Sequence, residues 1–224
     1  MKRILLVDTN ELTRDAVSRR LAERGFDVTV ASQAYEGLHL AEGLKPDLIL
    51  MDMRMPELDG VAACTRILSA APEGARPRVL ALTSFDIDEY VYAALRAGAS
   101  GFLLKDTAPE RLLRALHLVA AGDCLFAPSV TRRLVETYTR ASVPGDEPLT
   151  DLDQLTPREL EILRLVATGA CNEDIAALLT VSGATVKSHL SRAMTKLGLC
   201  SRAQAVVMAY ESGLVVPRRC RAEH

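Results

Sequence analysis

The chain has 224 residues, 49% of them hydrophobic and 25% charged, with a formal net charge of −2. That length suits two small domains or one large one, and the composition excludes compositional disorder. The longest stretch without Asp, Glu, Lys or Arg is the 12-residue Ile175–Val186, short of the ~18 residues of a membrane span, and only four apolar residues separate Arg3 from Asp8, too few for a secretory signal, so a soluble cytoplasmic protein is expected.

Through residue 125, short apolar runs alternate with segments of helical period. Ile4–Val7, Val28–Ala31, Leu48–Met51, Val79–Leu82 and Gly101–Leu104 read as strands buried on both faces of a parallel sheet. Between them lie amphipathic stretches. The first has Leu12, Ala16, Val17 and Leu21 as its expected apolar stripe and Gly25 as its stop. Later ones are bounded by Gly43–Pro46, Gly60, Gly98 and Pro109. Five βα units predict an open, doubly wound α/β domain with right-handed crossovers over 1–125.

Residues 126–153 change character. Ser129 can cap a short helix with Val130, Leu134, Val135 and Tyr138 as its stripe, and an acidic, Pro-containing linker follows. From 154 to 216 the pattern is all helical, ahead of a tail at 217–224. Thr156-Pro157-Arg158-Glu159 is a capping box with Pro at the first helical position. A short helix is predicted from about Asn172 to Leu179, and a third is capped by Ser182, with Val186, Leu190, Met194 (or Ala193) and Leu197 on one face. Ser201 opens a fourth. Residues 1–125 hold 15 Lys+Arg against 18 Asp+Glu, and residues 155–224 hold 9 against 6. A mildly basic C-terminal third suits a nucleic-acid-binding module, though weakly by itself.

The five cysteines form no C-x-x-C pair and the four histidines lack ligand spacing, which argues against a disulfide framework or a zinc site. The parallel sheet is more informative. Ligands in such folds bind beyond the carboxyl ends of the strands. Asp8 follows strand 1, Asp52 ends strand 3, Thr83 and Ser84 end strand 4, and Lys105 ends strand 5. In the strand order 2-1-3-4-5 these side chains converge. Two neighbouring carboxylates repel unless a cation lies between them, and oxygen ligands suit Mg²⁺. An Asp beside Mg²⁺, Lys and a hydroxyl is a plausible nucleophile toward a phosphoryl group. Either acid alone would serve equally as a helix cap; the four side chains together favour a pocket.

Asp47–Gly60, Leu82-Thr83-Ser84 and Gly101–Asp106 resemble the receiver domain of two-component response regulators, over about residues 2–122. The resemblance implies a flavodoxin-like fold, Asp52 as phosphoacceptor, Asp8 and Asp52 at a Mg²⁺ site, Thr83 and Lys105 as the phosphate-sensing pair, and Phe102 as the aromatic switch. Pro56 and Gly60 match the turn after the phosphoacceptor. One position departs. Receivers usually carry two adjacent acids after strand 1; here they are replaced by Asp8-Thr9. A hydroxyl in place of a carboxylate weakens Mg²⁺ binding. Two alternatives stay open: phosphorylation at Asp52, or a phosphate-independent regulator that senses a ligand or a protein partner.

In the C-terminal part, the third helix leaves Thr185, Lys187, Ser188, Ser191, Arg192 and Lys196 opposite its apolar stripe, with no acid among them. Such a face suits the major groove, and equally a solvated surface. Leu155–Glu159, Asn172–Ala176 and Val181–Leu199 resemble the LuxR-type helix-turn-helix, and nearly the whole chain resembles the NarL/FixJ class of response regulators. The resemblance implies a small all-α four-helix DNA-binding domain, promoter contacts from Thr185, Lys187, Ser188, Ser191 and Arg192, and a homodimer on double-stranded DNA. Its dimer contact would lie on the last helix, at Ser201, Ala205, Val206 and Ala209. A sensor histidine kinase is the partner such receivers imply. Cys171 is an unusual N-cap and Gly183 an unusual helix start. An Asp-nucleophile phosphohydrolase would need an acid at position 54, where Arg54 stands; no enzyme is expected.

Overall fold

The computed structural model describes residues 2–72, 75–84, 89–121 and 152–215. The linker helix after Ser129, the acidic linker and the tail lie outside the described residues. The chain divides into two compact units, the first made chiefly of residues up to 125 and the second chiefly of those after it.

The first unit holds a five-stranded parallel sheet in the order β2-β1-β3-β4-β5. The strands are β1 (Arg3–Val7), β2 (Asp27–Ala31), β3 (Leu48–Asp52), β4 (Arg78–Thr83) and β5 (Gly101–Leu104). Every residue of β3 is buried, as are all of β4 after Arg78, so these runs show no polar alternation. Helices α1 (Glu11–Ala22), α2 (Ala34–Leu44), α3 (Gly60–Ala70) and α4 (Glu89–Arg96) make the crossovers, and α5 (Pro109–Ala121) follows β5. Ile4, Leu6, Leu48, Leu50, Leu80 and Leu82 pack with Leu21, Leu112, Leu116 and Val119 on one face of the sheet. Helix α1 departs from the expected stripe. Only Leu21 is buried; Leu12 is 80% exposed and Ala16 is also exposed. Helix α2 ends within the expected Gly43–Pro46 boundary, capped by Lys45, which takes a left-handed conformation (φ 46°) ahead of Pro46.

The second unit is helical. A 3₁₀ turn (Leu152–Gln154) precedes α6 (Pro157–Ala167), α7 (Asn172–Leu179), α8 (Gly183–Lys196) and α9 (Arg202–Glu211). The capping box at Thr156 is formed, with Pro157 in the first turn. Helix α8 packs against α6 and α7 through Val186, Leu190 and Ala193. Ala193 therefore takes the core position, and Met194 is half-buried. Among the described residues, no helix is long and apolar enough to cross a membrane.

Candidate phosphoacceptor pocket and nucleic-acid interface

The sheet register brings the strand-end residues together. Asp52 lies opposite Leu82, and Thr83 opposite Leu104. The Lys105 N–H donates to the Thr83 carbonyl at 2.8 Å, which carries the lysine side chain to the rim beside β4. Asp8 is fully buried, and Asp52 and Thr83 nearly so. Lys105 Nζ lies 2.8 Å from Asp52 Oδ2 and 2.8 Å from Asp8 Oδ2. It is directed at Asp52, to which it donates a hydrogen bond. It forms an ion pair with Asp8 at the same distance. The remaining carboxylate oxygens are held by backbone: Asn10 N–H donates to Asp8 Oδ1 at 2.8 Å and Arg54 N–H to Asp52 Oδ1 at 3.1 Å.

Burial raises the Asp52 pKa above its ordinary value, and the nearby Asp8 charge adds to this; the Lys105 and Arg54 hydrogen bonds act the other way. The result is a carboxylate poorly solvated and correspondingly basic. The turn that follows is shaped by contact. Gly60 N–H donates to Met53 O at 3.1 Å, and a Cβ at Gly60 would stand 2.7 Å from Met53 Cα and closer still to the Asp52 carbonyl oxygen. Only glycine lets α3 start against the backbone that carries Asp52. Asp59 caps that helix through Ala62 N–H, 2.7 Å.

The donor set fits Mg²⁺ in part. Two buried carboxylates, whose Oδ2 atoms share the Lys105 ammonium, match the one or two carboxylates this ion takes. Thr9 is exposed and adds no charge. Among the described residues, no group of three or more His, Cys, Asp or Glu is gathered as a metal site. Phe102 sits half-buried on β5, three residues before Lys105.

In the second unit, Ser182 caps α8. Its Oγ accepts from Thr185 N–H at 3.1 Å and lies 2.8 Å from Thr185 Oγ1. Lys187, Ser188, Ser191 and Arg192 are exposed on α8, and Thr185 is half-buried. Lys196 departs from the expected free polar face. Its Nζ donates to Glu159 Oε2 at 2.7 Å and to Gln154 O at 3.2 Å. Glu159 is buried, receives Thr156 N–H at 2.9 Å as well, and has its pKa lowered to about 2, chiefly by Lys196. The sequence identifies Glu159 as a capping residue; nothing in the spacing identifies its second partner 37 residues away. Cys171 caps α7 despite its chemistry: Sγ accepts from Asp174 N–H at 3.4 Å. The Asp174 carboxylate beside the thiol raises its pKa, which disfavours a reactive thiolate. Ala205, Val206 and Ala209 lie on α9, and Ser201 precedes it, its Oγ accepting from Gln204 N–H at 3.1 Å.

A receiver-type sheet with an Asp–Lys–Asp cluster at its carboxyl edge, followed by a helix-turn-helix, defines the response-regulator class of transcription regulators. Residues 4–117 match the response regulator receiver domain family and residues 153–209 the luxR family of bacterial regulatory proteins. The chain is 40% identical over 217 residues to an uncharacterized transcriptional regulatory protein, YxjL, of Bacillus subtilis (strain 168), covering 95% of this chain and 97% of that one. It is 38% identical over 211 residues to the nitrate/nitrite response regulator NarL of Escherichia coli (strain K12), covering 93% and 94%. Among solved structures, a LuxR-family two-component response regulator from Aurantimonas sp. SI85-9A1 superposes with a TM-score of 0.53 at 31% identity, covering 63% of this chain and 99% of that one. The chain belongs to the NarL/FixJ class of response regulators, transcriptional regulators with a LuxR-type DNA-binding domain.

Proposed function

We propose that residues 1–125 accept a phosphoryl group on Asp52 and thereby control how residues 154–216, beyond the 126–153 linker, pair and bind promoter DNA in the cytoplasm. The observation that carries this reading is the pairing of Lys105 Nζ with both buried carboxylates at 2.8 Å. An Asp52 oxygen attacks phosphorus, the donor's leaving group departs with the bonding electrons, and an acyl phosphate results. Lys105 then turns from carboxylate to phosphoryl oxygen, and the Thr83 hydroxyl donates to another oxygen. Asp8 and Asp52 would hold Mg²⁺, which when bound supplies charge neutralisation. Phe102 is the proposed switch, following Thr83 inward.

On the DNA side, Thr185, Lys187, Ser188, Ser191 and Arg192 are the proposed groove contacts, and Ser201, Ala205, Val206 and Ala209 the dimer contact. A C₂ homodimer would present two copies of α8 to an inverted repeat. A sensor histidine kinase is the proposed phosphoryl source. The test compares promoter binding and oligomeric state of wild type and Asp52→Ala, each with and without acetyl phosphate. The phosphodonor should raise affinity in wild type alone; an equal response in Asp52→Ala defeats the assignment.

Thr9 favours a second reading, in which the receiver works without phosphate. One carboxylate fewer stands at the rim, and Lys105 already neutralises part of the charge that remains. Acetyl phosphate labelling read by intact mass across a Mg²⁺ titration separates the two. Ready stoichiometric labelling that vanishes in Asp52→Ala removes the second.

A further inference from the structure

Arg158 and Glu159 are consecutive residues in the first turn of α6, yet one reaches the end of α7 at the turn and the other the far end of α8. Arg158 Nη2 donates to Leu179 O, the last residue of α7, at 3.2 Å. Its other nitrogen, Nη1, pairs with Glu161 Oε2 at 2.7 Å, which fixes the guanidinium's direction. The contact holds the chain just before Thr180, the residue that turns from α7 toward α8. Glu159 Oε2 takes Lys196 Nζ at 2.7 Å, at the last residue of α8. At ~1.5 Å rise per residue α8 is about 20 Å long, which separates the turn before it from Lys196 at its end. A helix fastened at one end can swing about that point; one held at its far end and through the turn that feeds it swings less.

We infer that Arg158, Glu159 and Lys196 are positioning residues for DNA reading, fixing the turn that leads into α8 and the far end of α8 so that its exposed side chains enter the groove in one register. Lys196, although a cation on that helix, is then an internal strut and not a phosphate contact. Its ammonium has two acceptors inside the unit, Glu159 Oε2 and Gln154 O, and the Glu159 carboxylate is buried with Thr156 N–H on the same oxygen. This inference rests on α8 being the recognition helix.

Base-edge contacts demand closer geometry than phosphate contacts, which only position the protein. Loosening α8 should therefore weaken binding to a preferred sequence and spare non-specific binding. The probes are a duplex enriched from a random pool by the wild-type full-length chain and a scrambled duplex of equal length, each titrated across KCl. Lys196→Met, Glu159→Gln and Arg158→Met should each lose about tenfold on the enriched duplex. On the scrambled duplex, affinity and the slope of log K against log[salt] should stay at wild-type values. The Glu159→Gln/Lys196→Met double variant should be no weaker than the weaker single, since both break one contact. Lys196→Arg, which keeps the ion pair, should retain binding.

A slope reduced by ~0.9 in Lys196→Met marks a phosphate contact and overturns the inference. So do losses that multiply in the double variant, or a Lys196→Arg chain that melts at the wild-type temperature but has lost the enriched duplex. Lys187→Ala distinguishes the underlying reading. If it leaves the enriched duplex fully bound, α8 is not the reading helix. If it weakens binding while Glu159→Gln does not, only the positioning role falls.

Discussion

At Asp52 two requirements conflict. The phosphoacceptor role proposed for it requires an ionised carboxylate, yet burial beside Asp8 disfavours the charge, and one lysine serves both acids. The consequence is a stability cost with a definite pH dependence. Because the folded pKa lies above the unfolded value, the folded chain holds its proton more tightly, and stability falls as pH rises through that window. The penalty is absent below the ordinary carboxyl value of 3.8 and complete above the raised one. Asp52→Asn, which removes the charge and leaves Asp8 to Lys105 alone, should therefore be more stable than wild type at pH 7, by on the order of 1 kcal/mol. Urea unfolding across pH measures it: the advantage should shrink as pH falls toward 3.8. A variant less stable than wild type at neutral pH would show that the Asp52–Lys105 bond outweighs desolvation.

The regular elements were legible in the sequence to different degrees, for physical reasons. β1, β3 and β4 were readable because strands buried on both faces have no polar positions to blur the pattern; β2 and β5, at the sheet's edges and only partly buried, were readable as short apolar runs despite the expected full burial. The capping box at Thr156 and the cap at Ser182 were readable because they are local. The pocket residues followed from strand ends plus sheet order. What stayed hidden depends on tertiary contact: that α1 leaves Leu12 and Ala16 uncovered, that Gly60 touches the backbone of Met53, and that Lys196 turns inward to Glu159. The turn between α7 and α8 was equally hidden. Thr180 adopts a left-handed conformation there, with φ 54° and ψ 47°, which costs an L-residue about 1–2 kcal/mol and is least suited to a β-branched side chain. Thr180→Gly removes that strain against a smaller entropic loss. It should raise the stability of the helical unit by about 1 kcal/mol, read as a higher urea midpoint at unchanged slope. A lower midpoint would mean the methyl or hydroxyl makes a compensating contact.

At the scale of the whole chain, a receiver and a DNA-binding unit in one molecule are linked by thermodynamics whatever path joins them. If occupancy of the phosphoryl site raises promoter affinity by some factor, promoter DNA must raise affinity for that occupant by the same factor. Beryllofluoride, a non-covalent phosphoryl mimic, makes both arms measurable as binding equilibria. Its dissociation constant should be determined on the full-length chain, free and saturated with an enriched duplex. The affinity for that duplex should be determined with and without beryllofluoride. Coupling of the usual size, ~1–3 kcal/mol or roughly 5–150-fold, should appear equally in both. Asp52→Ala should abolish both together. A factor near one in both arms, with beryllofluoride still binding, would separate phosphoryl chemistry from promoter control and leave the Thr9-bearing pocket as a site that does not govern the helices. No binding of beryllofluoride at all would trace the failure to the pocket itself, where a hydroxyl stands in place of the second acid.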